Sequence, residues 1–140
     1  MIIKFLLCTL RSLGVYKLIY MIKKEILNKI LWATIEDYVG TWEILWELNT
    51  IFPNNSKVDN KIVAKKILIY FFNEGLINFY KSVWGAPNSK FEKVNVDNIN
   101  SFLMNEKLWK PVNLNEECVL LSNTQKGKEF YSQEKLKYLD

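Results

Sequence analysis

Histidine is absent from the 140 residues. That excludes Ser-His-Asp and Cys-His catalysis, zinc sites built on imidazole, and the usual side chain for switching charge near neutral pH. There are only two cysteines, Cys8 and Cys118, in very different settings. They form neither a disulfide framework nor a spaced metal set, which points to a reduced, cytoplasmic protein. Acid pairs do not replace the missing ligands: Glu36 with Asp37, and Glu116 with Glu117, are neighbours in sequence and lack the spacing of a calcium loop. Long hydrophobic runs are missing too, and no uncharged stretch is long enough to span a bilayer. No catalytic, metal or cofactor motif is expected, and no small-molecule substrate is evident, so the sequence reads as a non-enzyme.

Aromatic residues are plentiful. Eight Phe, seven Tyr and five Trp, in a chain that is 49% hydrophobic, can build one compact core. The net charge of +4 is unevenly placed. Residues 1–20 hold Lys4, Arg11 and Lys17 and no acid, leaving sixteen bases against fifteen acids in residues 21–140. A phosphate-binding surface on the main part of the chain must therefore come from the distribution of charge.

Within residues 1–20, Ile3, Leu6, Leu7 and Leu10 recur at helical spacing. This segment is expected to be an amphipathic extension or a helix packed on the domain, compatible also with weak peripheral membrane contact. No clear cleavage site for secretion follows it. Met21 offers an alternative start.

Residues 21–140 are expected to form one domain. Leu27, Ile30, Leu31, Ile35 and Tyr38 form a helical stripe. Val39-Gly40 interrupts it, and Thr41 is placed to cap a second helix that runs to Phe52 before Pro53. On that helix Trp42 and Trp46 share one side, read as core, beside an acidic stripe of Glu43 and Glu47. Ser56, with Asp59 three residues on, caps a third helix that should end at Gly75. Alternation and aromatic content predict a strand over 76–82, and residues 118–122, CVLLS, predict a second. Between them, residues 83–94 have loop composition, and Asp97 is placed to cap a short helix over 98–105. Thr124 should cap a final helix in which Gly127, lacking a β-carbon, permits a close crossing. The full glycine-rich phosphate-binding pattern is missing there.

Three helices, a strand, a long connection, a second strand and a closing helix give a mainly α fold with a small β hairpin, an α+β class. Over residues 25–138 this order resembles a winged-helix domain of a small bacterial protein. The resemblance rests on Thr41–Phe52, Ser56–Glu74, the strands Leu76–Ser82 and Cys118–Ser122, and the junction LSNTQKG. It implies an insertion at about residues 83–117 in place of an ordinary wing tip. It also implies that Lys57, Asn60, Lys61 and Lys65 lie on a groove-facing side, where lysine can read guanine and asparagine adenine.

Two functions follow. The first is a small protein-interaction module, such as an inhibitor, an immunity-type neutralising protein or an adaptor, whose partner is a protein. Its partner-binding candidates are Trp84, Phe91 and Trp109 of the aromatic connection, because aromatics bury large, rigid surfaces. Trp109, two residues before Pro111, also has the setting of a plug at the edge of the core. The second is a winged-helix transcription regulator that binds DNA through the four α-helical residues above. Against it stand a third helix without arginine and nearly balanced charge over residues 21–140.

Overall fold

A computed structural model describes residues 24–133. The expectations for residues 1–20, for Met21 and for the end of the last helix lie outside the described residues. The described residues form α1 (Lys24–Glu36), β1 (Val39–Gly40), α2 (Thr41–Ile51), α3 (Lys57–Asn73), β2 (Ile77–Val83), β3 (Glu92–Lys93), α4 (Ile99–Leu103), a 3-10 turn (Glu106–Trp109), β4 (Glu117–Asn123) and α5 (Gln125–Ser132). The four strands make one antiparallel sheet in the order β1-β4-β2-β3. This is an α+β fold.

Helix periodicity explains what each helix buries. In α1, Leu27, Ile30, Leu31 and Thr34 lie on one buried stripe, and Thr34 answers its own polarity by donating to the Leu31 carbonyl at 2.7 Å. The Thr34 carbonyl in turn accepts from Ser122 Oγ at 3.3 Å, tying α1 to β4. Ser56 caps α3 by accepting from the Asp59 amide at 3.0 Å, and the chain leaves α3 through Gly75 at φ +71. Two caps differ from expectation. Gly40, not Thr41, precedes α2, with its amide donating to Glu43 Oε1 at 3.3 Å, while Thr41 is buried and donates to the Leu108 carbonyl. Asn98, not Asp97, caps α4.

The long ladder is β2 with β4, running in register from Ile77 opposite Asn123 to Val83 opposite Glu117. One face carries Phe79 opposite Leu121, both wholly buried, against Leu27, Leu31, Leu68 and Phe71 of α1 and α3. Successive side chains alternate, so Leu120 and Cys118 point to the other face. There they meet Trp42, flanked by Tyr38, Trp84 and Val112, in a second small apolar cluster. Trp42 covers Gly40, where a β-carbon would fall 2.5 Å from its ring.

The final helix starts as its sequence implies. Thr124 accepts from the Gly127 amide at 3.0 Å and donates to the Gly75 carbonyl at 2.6 Å. Gly127 lies against the Leu76 carbonyl, which a β-carbon would approach to 2.4 Å.

Candidate protein-binding surfaces

The four α3 residues assigned to a nucleic-acid face differ in exposure and in what they contact. Lys57 is exposed, in the first turn. Asn60 is only 1% exposed: its Nδ2 donates to Asn49 Oδ1 at 2.8 Å and to the Phe52 carbonyl at 3.3 Å, and its Oδ1 accepts from Asn55 Nδ2. It holds the α2–α3 turn and has no free edge for a base, which corrects its assignment as a reader of adenine. Lys61 makes an ion pair with Glu106 of the 3-10 turn. Its ammonium lies 5.8 Å from the Trp109 ring and that of Lys65 lies 6.0 Å away. The paired Lys61, aided by Lys65 and Lys110, holds the Glu106 carboxyl below its ordinary range.

Trp109 itself is 6% exposed, and its Nε1 donates to the Leu103 carbonyl at 2.9 Å. Its assignment as a partner-binding anchor is therefore corrected: it is the plug beneath the two lysines. The desolvated indole finds its acceptor in the chain, and no surface remains for a partner to bury.

The other two aromatic candidates sit at the sheet. Trp84 is half-buried, edge-on to Trp42 at 5.5 Å, so it supports the second cluster as well as facing outward. Phe91 is 41% exposed and stacks on Tyr38 at 3.8 Å and 17°, while Tyr38 meets Tyr80 edge-on at 5.3 Å. Phe91, Tyr38 and Tyr80 come from three separated segments and form one aromatic patch next to β3. Tyr38, the last residue of the α1 stripe, is half-buried and shared between this patch and the Trp42 cluster. Trp46, assigned to the core, is 53% exposed, since the buried face of α2 is carried by Thr41, Trp42, Ile44 and Leu48.

Two concavities accompany these surfaces. An open cleft of about 540 Å³ has Trp42, Cys118 and Val119 along its wall, with Lys81, Lys107, Lys110, Glu116 and Glu117 of mixed sign around it. The Cys118 thiol donates to the Ser82 carbonyl at 3.6 Å, and burial, with the nearby Glu117, pushes its pKa up. That disfavours the thiolate and suits an inert structural thiol. The second, about 250 Å³, is a groove between α1 and α2. Ile30, Ala33, Val39 and Ile44 form its apolar lining, and Trp32, Lys29, Glu36, Glu43 and Glu47 border it. Lys29 pairs with Glu47 at 2.8 Å. Burial raises the Glu43 pKa, the Gly40 amide opposes this, and Asp37 adds to it.

Among the described residues, no group of three or more His, Cys, Asp or Glu side chains is placed to hold a metal ion, and no helix is long and apolar enough to cross a membrane. Comparison with protein-family models, curated proteins and solved structures gave no match.

Proposed function

We propose that the chain is a small protein-interaction module on a winged-helix-like scaffold, acting by binding as an inhibitor, an immunity-type neutralising protein or an adaptor. The order α1-β1-α2-α3-β2-β4-α5, with β4 between β1 and β2, supports the scaffold, and residues 84–116 then form an enlarged wing. One observation carries the functional choice. The enlarged wing folds back on α3, engages Lys61 through Glu106 and buries Trp109 beneath Lys61 and Lys65. A recognition helix whose central Lys61 is already paired within its own chain offers less for phosphate or base edges. The same wing carries an exposed Phe91 stacked on the half-buried Tyr38, and an exposed aromatic with a supporting ring beneath it is the material of an interface anchor.

Affinity capture from native-cell lysate, with and without nuclease, tests this with the full chain, Phe91→Ala, and Lys57→Ala/Lys61→Ala/Lys65→Ala. The expected result is one discrete protein that survives nuclease, is recovered by the lysine variant, and binds Phe91→Ala about tenfold more weakly, a typical anchor loss. Recovery of a defined DNA fragment, abolished by nuclease and by the lysine variant, would replace this function with the transcription-regulator alternative.

A further inference from the structure

We propose that the edge of β4 over residues 117–119 takes an extended strand from a protein partner, paired antiparallel as a continuation of β1. β1 pairs with β4 only at Leu121 and Leu120, and the chain then turns into α2 at Thr41. β2 follows β4 as far as Glu117. Among the described residues, Glu117, Cys118 and Val119 therefore have a strand on one side and none on the other.

The hydrogen-bond alternation identifies the backbone groups left on that open side. Just past the two ends of the β2–β4 ladder, the Thr124 amide donates to the Leu76 carbonyl and the Trp84 amide to the Glu116 carbonyl, both at 2.9 Å. Even-numbered residues of β4 thus bond to β2, and the amide and carbonyl groups of Val119 and Glu117 point the other way. There lies the open cleft of about 540 Å³, lined by Glu117, Cys118 and Val119 and by Trp42 from the start of α2. Backbone donors and acceptors at strand spacing are matched by another extended backbone, which fixes the class of occupant. A partner residue opposite Cys118 is flanked by one whose carbonyl accepts from the Val119 amide and one whose amide donates to the Glu117 carbonyl. The far edge of the sheet, β3, is two exposed charged residues, a guarded edge.

Exposed charge sets the preferred sequence. The partner side chain opposite Val119 shares a sheet face with Lys81, the β2 neighbour of Val119, and Lys107 and Lys110 border the same cleft. The partner side chain two residues further on lies opposite Glu117. The preferred strand, read in the direction of β1, therefore has an acid and then, two residues later, a base. This inference rests on the reading of the chain as a protein-interaction module, but it uses none of Phe91, Tyr38 and Tyr80.

The test is an NMR titration of the purified, isotope-labelled full chain with the end-blocked peptide Thr-Val-Asp-Val-Lys-Val-Thr, taken to millimolar concentration. The expected result is a set of amide shifts centred on Glu117, Cys118 and Val119, slowed exchange of the Val119 amide, and about fivefold weaker binding of the charge-swapped peptide Thr-Val-Lys-Val-Asp-Val-Thr. Lys81→Glu/Glu117→Lys, at two exposed positions, should reverse that preference. Methylating the amide nitrogen of the peptide's lysine removes the donor to the Glu117 carbonyl and should abolish the shifts. No shift at Val119, shifts centred on Lys93 of β3, or equal binding of all the peptides would overturn the proposal. Shifts of the same amides with protein concentration alone would overturn it in favour of a second copy as occupant. Each of these failures leaves the lysate capture to be decided by its own outcome, because no cellular partner enters the titration.

Discussion

Asn60 separates the structural from the nucleic-acid role of α3 most sharply. Its amide joins Asn49, Phe52 and Asn55 with almost no solvent contact, so removal strands several buried polar groups. Asn60→Ala is expected to lower unfolding free energy by about 1–3 kcal/mol in urea titration, while Lys57→Ala, exposed three residues earlier, stays within about 0.5 kcal/mol. A base-reading asparagine would show the reverse pattern, with stability intact. Cys118 gives a second test at this scale. Its native pKa is raised above the ordinary 9.0, so the folded chain keeps a proton that the unfolded chain releases. Stability is therefore fully present below the ordinary value and falls as pH rises through it toward the raised one. Urea midpoints of the wild type should drop more than those of Cys118→Ala between about pH 8 and about pH 10, the range in which an ordinary thiol titrates.

Gly127 shows how an element is held as a unit. In an exposed helix, alanine in place of glycine stabilises by up to about 1 kcal/mol. Here the added carbon would meet the Leu76 carbonyl at 2.4 Å, and backbone cannot move aside without shifting α5 from the start of β2. Gly127→Ala should therefore destabilise by about 1–3 kcal/mol, read from the urea midpoint, against the helix-propensity trend. The close crossing was legible because Thr124 and Gly127 stand at cap spacing, and the same holds for Ser56 before α3. Local hydrogen bonding also made the ends of α2 and α3 visible at Pro53 and Gly75. The two-residue strands β1 and β3 were not visible. Two residues carry no period, and Val39-Gly40 and Glu92-Lys93 are strands only because β4 and β2 supply partners.

The whole molecule is organised by the β2–β4 ladder, which receives a layer on each side: α1 and α3 on one, the Trp42 cluster on the other. Amide exchange should follow that plan. The amides of Asn78, Tyr80, Leu120 and Ser122, which face across the β2–β4 ladder, are expected to exchange only through global unfolding, whereas the Val94 amide, donated to the Phe79 carbonyl at 2.8 Å beside β3, opens at lower free energy. Hydrogen-exchange NMR under mild denaturant would show whether the two sets merge. What the sequence determined by itself was everything set within a few residues of chain: the helical stripes, the caps at Ser56 and Thr124, the alternation of the two long strands, and the α+β class. The tertiary structure alone decided which of the aromatic and basic residues face outward. Trp109 and Asn60 are buried, Trp46 and Phe91 are not, and Lys61 is matched by Glu106. Those outcomes depend on partners tens of residues away, and a side chain's exposure is a property of what packs over it, which no local spacing encodes.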